Sequence, residues 1–268
     1  MLFLKVADSR NEGIIMRIVI SDVDKTLNFS DENPAIRVYD RQQIEKFQSL
    51  GHLFGICTGR SFSGVKKFIH DYHLKFDFMI LSSGAIIVNQ NNQIIKRYTL
   101  KRDQVENIVE QIKDKIINYS LTCGDIFYYS GEQKYDASKS IVIKDFSEVI
   151  GNEFDSFALQ FEDVKILEEV VEQLENNYSN SITTHRNENN LDISPVGCSK
   201  GNAIYELKNY LQVDDKDIYV IGDSYNDISM FEAVENSFTF FTSDKLVQSK
   251  ANYLVNSLGE CIQKAMED

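Results

Sequence analysis

The run Arg17-Ile18-Val19-Ile20 passes through Ser21 directly into Asp22-Val23-Asp24-Lys25-Thr26-Leu27. A short, nearly continuous apolar run is how a parallel strand buried on both faces reads. In open α/β sheets, ligands sit outside the carboxyl ends of such strands. The strand therefore delivers two carboxylates, Asp22 and Asp24, into a tight loop at a place suited to chemistry. One acid of such a pair can serve as nucleophile or metal ligand while the other donates a proton. An isolated Asp-x-Asp is also a common turn, so the remainder of the chain has to decide its meaning.

The same alternation continues downstream. Tyr39–Leu50 reads as a helix stopped by Gly51, His52–Cys57 as a strand ending in Thr58-Gly59-Arg60-Ser61, Phe62–Tyr72 as a helix and Phe78–Leu81 as a third strand. Strand, helix, strand with short links is the signature of a parallel, doubly wound sheet. The pattern then changes. Ala85–Val88 and Gln93–Lys96 flank Asn89-Gln90-Asn91-Asn92 and read as a hairpin. Helical spacing follows at Val105, Ile108, Val109, Ile112 and Ile116, and again at Val164, Leu167, Val170, Val171 and Leu174, with strands expected at Phe157–Phe161 and Ser181–Thr184. This predicts a separate α/β layer over residues 85–187. The first pattern returns with a helix over Gly201–Leu211 and the apolar strand Ile218–Ile221, which ends in Gly222-Asp223-Ser224-Tyr225-Asn226-Asp227. The expected fold is an α/β, doubly wound parallel-sheet (Rossmann-like) core over 1–84 and 188–268, interrupted by an inserted α/β cap, with a cleft between them.

Composition narrows the function classes. The 268 residues are 43% apolar and 26% charged with a net charge of −13, which argues against a broad nucleic-acid or anionic-membrane surface. Cys57, Cys123, Cys198 and Cys261 are scattered without a CxxC or a secretory framework, and read as reduced thiols of a cytoplasmic protein. No apolar run approaches transmembrane length. Residues 1–15, too soon charged for a signal peptide, read as an appendage or an upstream start before Met16.

Three strand ends thus present polar loops at one edge: Asp22/Asp24, Thr58 and Asp223/Asp227. Converging carboxylates repel one another and have raised pKa values, a cost that a hard divalent cation such as Mg²⁺ removes. A metal beside a nucleophilic carboxylate is what phosphoryl transfer needs.

In these features the sequence resembles the haloacid dehalogenase superfamily, and within it the Cof-type phosphatases with a large α/β cap. Its four motifs are matched in order: Asp22-x-Asp24-x-Thr26, Thr58 in Thr-Gly-Arg, Lys200 in Ser199-Lys200-Gly201, and Gly222 to Asp227. The resemblance implies that Asp22 is the nucleophile that forms an aspartyl-phosphate and Asp24 the acid and base, with Thr58 and Lys200 completing the catalytic group. It implies Mg²⁺ held by Asp22, the Asp24 carbonyl and Asp223, with Asp227 behind them. Val23, Thr58, Gly59, Lys200 and Asn226 would hold the phosphate. Two positions depart from the family: Lys25 stands where Gly is usual, and Ser83-Gly84-Ala85 where Asn-Gly-Ala is usual.

The expectation is a Mg²⁺-dependent phosphatase acting on a small phosphorylated metabolite such as a sugar phosphate or phosphorylated cofactor. It would need no nucleic acid or membrane and would be a monomer or small homo-oligomer. A phosphomutase, or a binding protein on the same scaffold, are the alternatives. In the cap, Tyr128, Tyr129, His185, Arg186 and Asn187 are candidates for lining the cleft. Thr58 is also a candidate cap for the following helix, Arg60 reads as structural or an ion-pair partner, and His52, His70 and His73 as structural or exposed.

Overall fold

The computed structural model describes residues 16–124, 126–132 and 140–268; the expectation for residues 1–15 lies outside them. The chain opens as β1 (Ile18–Ser21), α1 (Val38–Ser49), β2 (Leu53–Cys57), α2 (Phe62–Tyr72) and β3 (Phe78–Leu81), then the hairpin β4 (Ile86–Asn89) and β5 (Ile94–Arg97). A second group follows: β6 (Leu100–Lys101), α3 (Arg102–Ile112), β7 (Asn118–Cys123), β8 (Ile126–Tyr129), β9 (Ser140–Val142), β10 (Glu153–Phe154), β11 (Ser156–Gln160), α4 (Val164–Tyr178), β12 (Ile182–Asn187) and β13 (Asn190–Pro195). The last group is α5 (Lys200–Leu211), β14 (Ile218–Ile221), α6 (Ile228–Ala233), β15 (Asn236–Phe240), α7 (Lys245–Gln248), β16 (Tyr253–Val255) and α8 (Leu258–Glu267).

Eight strands form one sheet in the order β16-β15-β14-β1-β2-β3-β4-β5, parallel from β16 to β3. Both faces are buried, as the apolar runs require. Val19, Phe54, Ile56, Tyr219 and Ile221 pack under α1, α2 and α8, while Ile18, Ile20, Leu53, Ile80 and Val220 pack under α5 and α6. From β1 the chain builds β2 and β3 on one side and later returns to place β14 on the other. The end of β1 is therefore the switch point where a crevice opens.

The inserted layer is a six-stranded sheet in the order β12-β13-β11-β7-β8-β9. The apolar stripes of α3 and α4 cover one of its faces, packing on Tyr119, Leu121, Phe157, Leu159, Leu191 and Ile193. Alternation along the strands turns the polar positions between these residues the other way.

Sheet membership departs from the expected division at 85 and 187. The hairpin β4–β5 belongs to the large sheet: β4 runs antiparallel to β3, with Ile87 opposite Ile80, and both residues share the apolar cluster beneath α5. Its residues can pair at once with the free edge of β3, which is why a hairpin there extends the core. At the other end, β13 belongs to the inserted sheet, where it pairs β11 and β12. The second sheet thus takes its strands from Asn118 to Pro195, entered through the short β6–β10 pair.

Helix α5 lies so close to α6 that a Cβ on Gly201 would stand 2.1 Å from the Ser229 carbonyl oxygen. Gly201→Ala is expected to force the helices apart at a cost of about 1–3 kcal/mol, read as a lower Tm by circular dichroism; an unchanged Tm would show that the contact yields freely.

Candidate active site

At the end of β1 the Asp22 amide donates to the Ile221 carbonyl at 2.9 Å, tying the first acidic loop to β14. The loop then folds on itself, with the amides of Leu27 and Asn28 donating to the Val23 carbonyl at 3.0 and 2.7 Å. This geometry leaves Lys25 at φ 59°, a left-handed conformation that favours glycine. The usual Gly at this position is thereby explained, and the chain accepts a side chain there at some strain.

Lys200, the first residue of α5, is buried and bridges two acids. Its Nζ lies 2.6 Å from Asp22 Oδ1 and 2.5 Å from Asp227 Oδ1. Asp227 is fully engaged, since its Oδ2 accepts the amides of Asp223 at 3.0 Å and Ser224 at 2.9 Å. Only a glycine at 222 permits this fold-back, because a Cβ there would sit 2.3 Å from Asp227 Cγ. Asp223 accepts the Thr26 hydroxyl at 2.9 Å.

Carboxylate oxygens of Asp22, Asp223 and Asp227 all lie within 4.8 Å of one another. Burial pushes the Asp22 carboxyl well above its ordinary range; Lys200 opposes that shift and Asp227 adds to it. Asp223 is pushed up to about 6, by burial first and Asp227 second. Burial alone would lower Lys200, but the two acids outweigh it and hold the ammonium well above its usual value. One ammonium among three carboxylates leaves surplus negative charge, and an all-oxygen donor set of this kind suits a hard divalent cation.

Thr58 is buried at the end of β2, where its hydroxyl accepts the Arg60 amide at 3.1 Å. It does not cap α2; Ser61 does, accepting the Gly64 amide. Asp24 stands half-exposed beside this loop and receives the Arg60 guanidinium, with Nε donating to Oδ2 at 2.9 Å. Arg60 is thus an ion-pair partner, and the acid it holds is one of the sequence-predicted pair. Asn226 has a buried side-chain oxygen with no hydrogen-bond partner among the described residues.

These residues floor a cleft of about 870 Å³ between the two sheets. Asp22, Asp24, Thr58, Gly59, Asp223 and Asn226 line it from the core side. Of the cap candidates, Tyr129 and Arg186 line it, the latter with its Nη1 donating to Glu168 at 3.0 Å. His185 is partly buried and sets Nε2 3.0 Å from the Cys198 carbonyl, while burial lowers its pKa. The assignment of Tyr128 needs correction: its side chain is fully buried in the cap core, and its hydroxyl donates to the Ile150 carbonyl at 3.1 Å. Adjacent strand residues face opposite ways, so only one of Tyr128 and Tyr129 can reach the cleft. The Asn187 side chain lies outside what is described.

Sequence reasoning missed the rest of the cap wall: Asn118, Ser120, Gln160, Asn190 and Asp192. Their signal was the alternation with buried Tyr119, Leu121, Leu159, Leu191 and Ile193.

A profile of the haloacid dehalogenase-like hydrolases matches residues 19–260. The chain belongs to this family. Among its relatives, an uncharacterized protein of Mycoplasma capricolum subsp. capricolum is 27% identical over 262 residues, covering 91% of this chain and 98% of that one. A 5-amino-6-(5-phospho-D-ribitylamino)uracil phosphatase of Bacillus subtilis is 23% identical, covering 91% and 94%. Similar solved structures include a haloacid dehalogenase-like hydrolase from B. subtilis (TM-score 0.80, 18% identity, 94% of this chain and 98% of that one) and a subclass IIB sugar phosphatase (TM-score 0.78, 19% identity, 94% and 98%). At such identities these structures speak for the fold. In this haloacid dehalogenase-like hydrolase, then, the doubly wound core and inserted cap are those of its family.

Removing the Lys200 ammonium leaves Asp22 and Asp227 facing each other without a counter-charge. Lys200→Ala is expected to cost about 3–5 kcal/mol, measured by denaturant unfolding. A variant as stable as the parent would mean that the buried acids do not depend on it.

Proposed function

We propose that the protein is a Mg²⁺-dependent phosphatase that hydrolyses small phosphate monoesters through an aspartyl-phosphate on Asp22. One observation carries this reading. Lys200 anchors Asp22 through Oδ1, while the second oxygen takes no hydrogen bond among the described residues, at the floor of a cleft large enough for a small metabolite. A carboxylate with one oxygen fixed and the other free is poised for in-line attack on phosphorus.

An Asp22 oxygen bonds to phosphorus as the ester P–O bond breaks, and Asp24 gives its proton to the departing alkoxide. Asp24 then takes a proton from water, whose oxygen attacks the phosphorus and releases inorganic phosphate and the Asp22 carboxylate. Arg60, which donates to Asp24, would hold this acid in place beside the leaving group. In this reading the Thr58 hydroxyl and the Gly59 amide receive phosphate oxygens, with Asn226 and the Val23 backbone beside them, and Lys200 adds its charge and the one N–H left over from its bonds to Asp22 and Asp227.

The acidic cluster fits a hard cation. Asp22, Asp223 and the Asp24 carbonyl would hold it, and Asp227, whose oxygens are already occupied, would orient the set. Bound there, Mg²⁺ would offset the charge of the transferring phosphoryl group. The relatives whose names specify a phosphorylated ribitylamino uracil, and the sugar phosphatase of like fold, support a hydroxylated phosphate monoester as substrate. No described helix is long and apolar enough to cross a membrane; with four free cysteines, a cytoplasmic site of action is part of this reading.

Asp22→Asn should lower phosphate release from p-nitrophenyl phosphate by more than ~10³-fold while keeping its Tm, because an amide cannot attack phosphorus. Wild-type turnover in a folded Asp22→Asn protein rules out the nucleophile. Millimolar MgCl₂ should raise the Tm of the EDTA-treated protein, and Asp223→Asn should remove most of that rise; equal shifts in both proteins would place the metal elsewhere.

A further inference from the structure

We infer that Asp192 is a specificity-determining residue that accepts a hydrogen bond from a hydroxyl group on the leaving group, close to the ester oxygen. The inference rests on the phosphatase reading above and extends it to the cap wall.

Asp192 sits on β13 between Leu191 and Ile193, whose side chains enter the cap core, so its own side chain turns toward the cleft. Across the sheet it faces Ala158 on β11, which offers no donor, and His185 on β12. His185 has its Nε2 at the Cys198 carbonyl. Among the described residues the Asp192 carboxylate has no hydrogen-bond or ion-pair partner; burial raises its pKa to about 6, and Lys200 acts on it only through space. Lys200 itself is committed to Asp22 and Asp227.

A carboxylate that faces a cleft without a protein donor is free to accept a hydrogen bond from what enters it. The position says what that is. Asp192 Oδ2 lies 3.5 Å from where a Cβ on Gly59 would stand, and Gly59 follows Thr58 in the loop proposed to hold the phosphate. At that spacing Asp192, like the Ser83 hydroxyl 3.4 Å from the same point, stands directly beside the Gly59 backbone. A leaving alcohol whose phosphate rests on this loop would carry its first carbons past Asp192.

A carboxylate accepts hydrogen bonds and repels anions, so it selects a hydroxylated carbon and discriminates against a second acidic group. The neighbouring cap wall is of the same character. The Asn118 amide donates to Gln160 at 2.6 Å, and Ser120 and Asn190 stand beside the pair, which suits further hydroxyls along a polyol chain.

The test compares D-ribitol 5-phosphate with n-pentyl phosphate, a chain of equal length without hydroxyls, and with p-nitrophenyl phosphate. The enzymes are wild type, Asp192→Ala and Asp192→Asn, all with Mg²⁺ and with Tm recorded. Loss of a charged acceptor should lower kcat/KM for the ribitol ester by roughly ten- to a hundredfold in Asp192→Ala. The pentyl and aryl esters should stay within about twofold or improve as the repulsion is removed. Asp192→Asn, which keeps an acceptor oxygen, should fall between. Equal losses on all three esters, or an undiminished rate on the ribitol ester in folded variants, would overturn the inference while leaving the phosphatase reading intact. If wild type released phosphate from none of the three, the phosphatase reading itself would fall and take this inference with it.

Discussion

A single buried ammonium ties together two acidic loops that the sheet brings side by side. Lys200 joins an acid at the end of β1 to an acid in the loop after β14, and it does so from a helix that begins only after the cap has been completed. Each partner depends on the others. Asp227 cannot fold back without Gly222, Lys200 cannot reach without the tight contact at Gly201, and Asp22 would be a buried, uncompensated charge without Lys200. Pairing of this kind is weak evidence for stability by itself. Here its value lies in geometry, since it fixes one oxygen of Asp22 and leaves the other without a hydrogen bond among the described residues.

The core was legible because it is buried on both faces. Strands β1, β2, β3 and β14 read as uninterrupted apolar runs, and the polar loops at their ends stood out by contrast. The helices announced themselves through their spacing. The cap was harder, for a reason visible in β7: Asn118-Tyr119-Ser120-Leu121-Thr122-Cys123 buries alternate residues against α3 and α4 and turns Asn118 and Ser120 to the cleft. A half-polar strand lacks the apolar run by which the core strands were found. The hairpin β4–β5 failed differently. Its form was clear, but nothing local says which sheet edge it joins; that is decided by the open edge of β3. Tyr128 and Tyr129 show the same limit at one residue's scale, since the choice between them turns on strand register.

The electrostatic motifs were the most legible part of the site, because each lies at a strand end or a helix start where short-range pattern and chemistry coincide. The cap wall was the least, since Asn118, Gln160, Asn190 and Asp192 come from three strands that are separated in sequence and carry no motif. Core and cap therefore divide the work along the line that separates readable from unreadable. On the proposed reading the core would handle the phosphoryl group with a fixed set of residues, and the cap would face the variable leaving group.

Between Pro195, the last residue of β13, and Lys200, the first of α5, the chain has only the four residues Val196 to Ser199. The strand bearing Asp192 and the helix bearing Lys200 are in effect one continuous ruler laid across the cleft. Inserting or deleting residues at the Glu188–Asn189 turn would lengthen or shorten the far rim of the cap and leave that ruler intact. The same change between Pro195 and Lys200 would shift the ammonium along the core or flip the strand's faces. In this chain a change of cap length that spares the ammonium is thus expected only in the outer loops, around a segment of fixed span.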